Sequence, residues 1–306
     1  MGEVRRIRKT FRGKPTLEGA GVHLKRVFGF GEVPLFDPFL LLDDFRSDDP
    51  ERYLKGFPWH PHRGIETITY VLAGEVEHGD SLHNHGVIGS GDVQWMTAGS
   101  GIIHQEMPKG DENGRMYGFQ LWANLPSGEK MMDPRYRDVK STQIPKVDLP
   151  GGTVVNVIAG EVSGIRGPVH DVVIDPEYSD VTVPAKSEFT HTVRKGHRVF
   201  AYVIEGRGCF CGKKDPSPHE AEGDGNFDSR RDPFVEDTAV VLFEDGDDDE
   251  ITVSAGVNGV RFLLVSGRPL NEPVAWRGPI VMNTREELRT AFEEYSNGTF
   301  IKYDGS

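Results

Sequence analysis

The 306-residue chain has only two cysteines, Cys209 and Cys211. Set two apart on one strand face, they are poorly placed to bond each other, so the sequence offers no disulfide framework and reads as a protein of a reducing compartment. No apolar run is long enough to cross a bilayer, and residues 1–9 lead into polar sequence, not an apolar signal core. A cytoplasmic protein with no membrane partner is expected, the nucleus being the alternative in a eukaryote; the basic Arg5 to Lys9 segment reads as a solvated run and is assigned no function. Positive charge is also short: 35 Lys and Arg against 48 Asp and Glu leave a formal net charge of -13. Nucleic acid binding depends on a basic face that displaces counterions, so direct contact with nucleic acid is not expected.

Helical periodicity is scarce until the end of the chain. What is present is β pattern: alternating or β-branched stretches at 66–72, 91–96, 199–204 and 259–265, nearly all bracketed by glycine-bearing turns. Short strands at regular spacing predict an all-β sandwich or barrel. Near the C-terminus, Thr284 followed three residues later by Glu287 predicts a capping box opening a helix through about Tyr295, with Asn297-Gly298 as its stop.

The chain also echoes itself. Residues 70–74 (YVLAG) resemble 202–206 (YVIEG), and Thr97-Ala98-Gly99 resembles Ser254-Ala255-Gly256. This predicts two copies of one β-barrel, at 1–145 and 150–306, joined through the Pro- and Gly-punctuated stretch 143–152. A polar insertion at about 213–237 interrupts the second copy, and the acidic run at 244–250 reads as a hairpin tip. When the echoes are aligned, His60 and His62 fall on Thr192 and Arg194, and His104 and Glu106 fall on Arg261 and Leu263. Arginine, always protonated, cannot ligate a cation, so any metal is expected in the first copy.

Metal-ligand chemistry is concentrated in two short segments, His60-Pro61-His62 and His104-Gln105-Glu106. Successive side chains of a strand point to opposite faces, so residues two apart emerge together, and two such strands can converge three imidazoles and a carboxylate on one point. The metal ligands expected are therefore His60, His62, His104 and Glu106. Without thiolates the set is unlike a closed zinc finger, and it leaves coordination positions open. Iron(II) is the first choice; manganese, nickel, copper and zinc suit the same donors. Glu66 is a competing ligand, at an even offset from His62 in an unbroken strand, but Gly64 between them could reverse the parity with a bulge. Glu106 and Glu66 are also the candidates for a general base. His78, His83 and His85 read as solvated loop histidines. Phe57, Trp59, Trp95 and Met96 are candidate apolar walls.

Residues 56–67 (GFPWHPHRGIET) and 91–107 (GDVQWMTAGSGIIHQEM) closely resemble the two signature segments of the pirin family, in the cupin superfamily. Residues 39–45 and 119–126 resemble further pirin blocks, so the likeness is strong over about 20–140. Over the second barrel it is carried by residues 267–279, and the polar insertion departs from the compact form. The resemblance implies a bicupin of two jelly-roll barrels and an iron held by His60, His62, His104 and Glu106. It also implies one of two functions. One is dioxygenation of a flavonol-like phenol, as by a quercetin 2,3-dioxygenase. The other is a transcriptional coregulator whose iron oxidation state controls docking of a protein partner.

Overall fold

The computed structural model describes residues 4–210, 220–222, 233–246 and 250–303. It divides into two compact units that are not consecutive halves of the chain. Residues 14–141 and 270–306 form one, and residues 1–13 with 142–269 form the other. Each unit thus takes one terminal segment from the far end of the sequence, and the chain passes between units at Ser141–Thr142, just ahead of the punctuated stretch.

The unit containing residues 14–141 is built on two antiparallel sheets. Seven strands run in the order Arg135–Val139, Val93–Thr97, Ile65–Ala73, Tyr117–Asn124, Phe39–Asp44, Val22–Phe28, Lys14–Glu18. The other four run Phe57–His62, Ile102–Lys109, Glu75–Asp80, His85–Ile88. The Ile65–Ala73 strand is rich in Ile, Thr, Tyr and Val, the residues that pack well on a pleated surface, and it is buried through its first seven positions. Val22, Leu24, Phe45, Tyr53, Val71, Val76, Ile88 and Met116 form one core cluster. Each such side chain taken out of water contributes roughly 1.5–3 kcal/mol.

The returning segment adds a small hairpin, Ala275–Arg277 with Ile280–Met282, and the helix Arg285–Ser296. Thr284 caps that helix reciprocally with Glu287, and Asn297 ends it, as the sequence predicts. Its first turn carries Glu286 and Glu287, favourable at the positive end of the helix dipole. Ala291, Ile280, Met282 and Phe300 form the core beneath it, with Ile103 packed against them.

The other unit is organised around one ten-stranded sheet, with the 18-residue strand Glu250–Gly267 at its centre. That strand pairs with Glu177–Val183, Glu188–Thr192 and Arg198–Cys209, and the N-terminal strand Ile7–Arg12 lies antiparallel to Ala239–Phe243. At the positions aligned with the metal donors, Arg261 makes a two-pronged ion pair with buried Asp180 at 2.6 and 2.9 Å.

One expectation is corrected: Cys209 is disulfide-bonded. The strand ends at Cys209, so the extended geometry that argued against bonding does not continue past it; Cys211 lies outside the described residues. Of the polar insertion, only 220–222 and 233–237 are described, and they supply short strands, 220–222 running parallel to Ile7–Arg12. The middle of the acidic run, 247–249, is likewise outside the described residues. Among the described residues no helix is long and apolar enough to cross a membrane.

Candidate metal centre

The Ile102–Lys109 strand lies between two partners and sets the site as a grid. On one side His104 stands opposite His60, and on the other it stands opposite Asp80, while Glu106 stands opposite His78. Because side chains two apart share a face, His104 and Glu106 project together beside His78 and Asp80. His60 and His62 share a face of the neighbouring strand. One ring nitrogen from each of His60, His62 and His104 lies within 4.8 Å of the other two, the one cluster of metal-ligating type among the described residues.

The contacts of these rings decide their tautomers. His60 Nδ1 lies 2.8 Å from the Pro58 carbonyl and His62 Nδ1 lies 2.9 Å from the Pro279 carbonyl. A carbonyl oxygen can only accept, so both rings carry their proton on Nδ1, and each neutral ring presents an Nε2 lone pair. These Nε2 atoms are 3.1 Å apart, and His104 Nε2 is 3.0 Å from that of His60. Burial above all, and the neighbouring His60 next, push His62 down to about 3 and His104 in the same direction. Ring nitrogens brought to these distances need either a proton or a metal ion between them. The donor set therefore fits a divalent ion.

Glu106 is buried on the same side but is not a member of the three-residue cluster. Thr69 Oγ1 donates to one of its oxygens at 3.0 Å and Gln120 Nε2 to the other at 2.9 Å. Behind it, a cavity of about 10 Å³ is lined by Phe57, Val76, Asp43 and Gln120 among others. That is room for about one water molecule.

Glu66 lies elsewhere. Gly64 takes φ +76° where an added Cβ would collide with the Val281 carbonyl, and the chain leaves one sheet at His62 to enter the other at Ile65. The strand is broken, and the parity with His62 is lost. Thr69 faces Glu106, so odd-numbered positions of this strand face the interior and Glu66 lies on the opposite face. There it accepts from Thr97 Oγ1 at 2.6 Å, and burial holds its proton affinity above the usual carboxylate range.

The three loop-histidine expectations divide. His83 and His85 are exposed, whereas His78 is buried in Glu75–Asp80, with Nε2 3.1 Å from Asp80 Oδ2. The ring of Tyr136 stacks on it at 4.5 Å, and His104 is 5.4 Å away. The signal was available: His78-Gly79-Asp80 repeats the spacing of the two donor segments. Among the candidate walls, Met96 and Trp95 are buried, Phe57 lines the cavity and Trp59 is 50% exposed. Sequence reading missed Trp122 and Trp276. Trp122 meets His62 edge-on at 5.0 Å, Trp276 follows at 5.9 Å, and Phe30, 69% exposed, closes the row at 5.7 Å.

Comparison with known proteins identifies the fold of both parts of the chain. The family model described as Pirin matches residues 21–123, and that of the Pirin C-terminal cupin domain matches residues 178–301. A pirin-like protein of Caulobacter vibrioides is 42% identical over 97% of this chain and 99% of its own length. Human pirin is 36% identical over 97% and 94% respectively. A crystal structure of quercetin 2,3-dioxygenase from Acinetobacter baumannii superposes with a TM-score of 0.82 at 29% identity, covering 97% of this chain and 99% of that one. The protein is mostly β, with two cupin domains and, among the described residues, a single α-helix near the C-terminus.

Proposed function

This chain belongs to the pirin family, and we propose that it is a non-haem iron dioxygenase acting on flavonol-like phenols. The observation that carries this reading is the convergence of three imidazole nitrogens within 4.8 Å, next to a row of aromatic rings. The structural likeness to a quercetin 2,3-dioxygenase supports the choice of substrate class. His60, His62 and His104 would hold the ion through Nε2. Glu106 would complete the set by exchanging Thr69 or Gln120 for it. Manganese, nickel, copper or zinc would suit the same residues.

A bound iron(II) ion supplies Lewis acidity and the one-electron chemistry that oxygenation of a closed-shell phenol requires. The protein's own groups do the rest. Glu106 takes the phenolic proton on the carboxylate oxygen not given to the ion, and whichever of the Thr69 and Gln120 hydrogen bonds remains orients the carboxylate. Since the space behind Glu106 is nearly filled, substrate approaches from the side of His60, the one partly exposed ring of the three. Trp122 and Trp276 offer flat apolar surface to a planar ligand and exclude water beside it.

The test is anaerobic reconstitution with iron(II) followed by oxygen-electrode traces with quercetin. Uptake by the wild type that is lost in His104→Ala supports the reading. Tight iron binding with no uptake refutes the dioxygenase and favours a redox-sensing protein that acts through a protein partner.

A further inference from the structure

Every imidazole of the cluster needs an acceptor for the N–H turned away from the ion. His60 and His62 have backbone carbonyls. His104 does not: its Nδ1 is buried and without a partner. Diagonally across the sheet, on the adjacent strand and two register positions along, His78 Nδ1 is also buried and without a partner.

The two orphaned atoms are chemically complementary. Asp80 accepts from Leu82 N and Asn84 N at 2.9 and 3.0 Å and from Asn84 Nδ2 at 2.9 Å, so it stays an anion. An anionic carboxylate can only accept, which puts the proton of His78 on Nε2 and leaves an Nδ1 lone pair. His104, when its Nε2 lone pair is given to an ion in the cluster, carries its proton on Nδ1. A buried donor and a buried acceptor thus stand on adjacent strands, with ring centres 5.4 Å apart. An N–H···N bond of about 3 Å between two imidazoles sets their centres roughly 5 Å apart, so the 5.4 Å separation is compatible with one. Leaving both groups unpaired would cost about 1–3 kcal/mol each.

We propose that His78, held by Asp80, is a positioning residue that accepts the Nδ1–H of His104 and so fixes the ring whose Nε2 faces the ion. The relay runs Asp80 to His78 to His104, and it rests on the metal-site reading above. Its frame is rigid. Tyr136 stacks on the His78 ring, and its hydroxyl donates to Asp138 at 2.7 Å and accepts from Gln94 at 3.1 Å. The acceptor matters because ligands whose outer N–H is fixed in this way are more basic and lose less freedom on binding; removing such a partner commonly costs 10–100-fold in metal affinity.

Nitrogen-15 spectra of histidine in the metal-free protein read the tautomers directly. The wild type is expected to hold His104 in the Nδ1–H form. His78→Phe, which keeps the stack on Tyr136 but offers no acceptor, should lose that preference. In nickel(II) titrations by calorimetry the same variant should bind 10–100-fold more weakly. His78→Asn puts an amide oxygen where Nδ1 stood and should recover both signals, whereas His78→Gln, whose amide sits at the Nε2 position, should not. This pair decides the matter if His78→Phe fails to fold. A His104 tautomer indifferent to the substitutions, or equal nickel affinity in wild type, His78→Gln and His78→Asn, would overturn the relay. A wild type that takes up neither nickel nor iron would instead refute the metal site, and the tautomer spectra would still judge the hydrogen bond.

Discussion

His62 donates its Nδ1–H to the carbonyl of Pro279, a residue 217 positions further along the chain, at 2.9 Å. The orientation of a predicted metal ligand is therefore set by the segment that returns after residue 269. That segment is pinned beside the site by two buried cations, Arg63 and Lys130.

Arg63 Nε donates to the Ser100 carbonyl, Nη2 to the Phe300 carbonyl and Nη1 to Glu294, each at 2.7 Å, with the guanidinium 4.2 Å from the centre of the Phe300 ring. Arg63→Met should destabilise the fold by roughly 2–4 kcal/mol, because carbonyls buried against it lose their donor while Glu294 keeps some access to water. Urea denaturation measures this; a loss below about 0.5 kcal/mol would show that the segment is held by its apolar core alone.

Lys130 Nζ donates to the Gly64 and Val281 carbonyls and to Asn124 Oδ1. Desolvation is the largest influence on it and depresses the amine to about 7. Between pH 7 and about 10.5 the unfolded chain then binds more protons at this position than the folded one, so stability rises with pH across that window. The cost of the buried charge is fully present below pH 7. Urea midpoints compared between wild type and Lys130→Met should show this rise, of order 2–4 kcal/mol, only in the wild type. Parallel pH profiles in the two proteins would contradict it.

The two glutamates should separate cleanly. Glu66→Gln, on the face away from the cluster, is expected to retain stoichiometric iron(II), whereas His60→Ala and His104→Ala should lose it. Glu106→Gln removes the proton acceptor and a charged ligand while keeping partners for Thr69 and Gln120, so it should stay folded and lose at least about 100-fold in quercetin-dependent oxygen uptake. Metal analysis of the purified variants, with uptake rates, checks each. Full occupancy in the histidine variants would refute the ligand assignment.

Trp276 lies too far from the cluster to ligate but within reach of a bound planar molecule. Trp276→Ala should raise the KM for quercetin about 5- to 12-fold, the value of one lost aromatic contact of about 1–1.5 kcal/mol, and leave iron affinity unchanged. An unchanged KM would place the substrate elsewhere.

The local pattern of residues is enough to specify much of this protein. Alternation around Val71 and Tyr202 marks strands, Thr284 and Glu287 mark the helix start, and the i, i+2 spacing of His60-His62 and His104-Glu106 puts each pair on one face; all of these follow from periods of two or 3.6 residues. What tertiary structure alone decided depends on contacts between residues far apart in sequence. The fate of Glu66 turned on the path of the chain at Gly64, where the Val281 carbonyl leaves no room for a side chain. His78 lies in a stretch of Gly, Asp and Ser that reads as loop, and its burial involves Tyr136, a residue on another strand whose ring stacks on it. The Pro279 carbonyl that orients His62 carries no mark in the sequence, because every residue has a carbonyl and only the folded chain determines which one arrives.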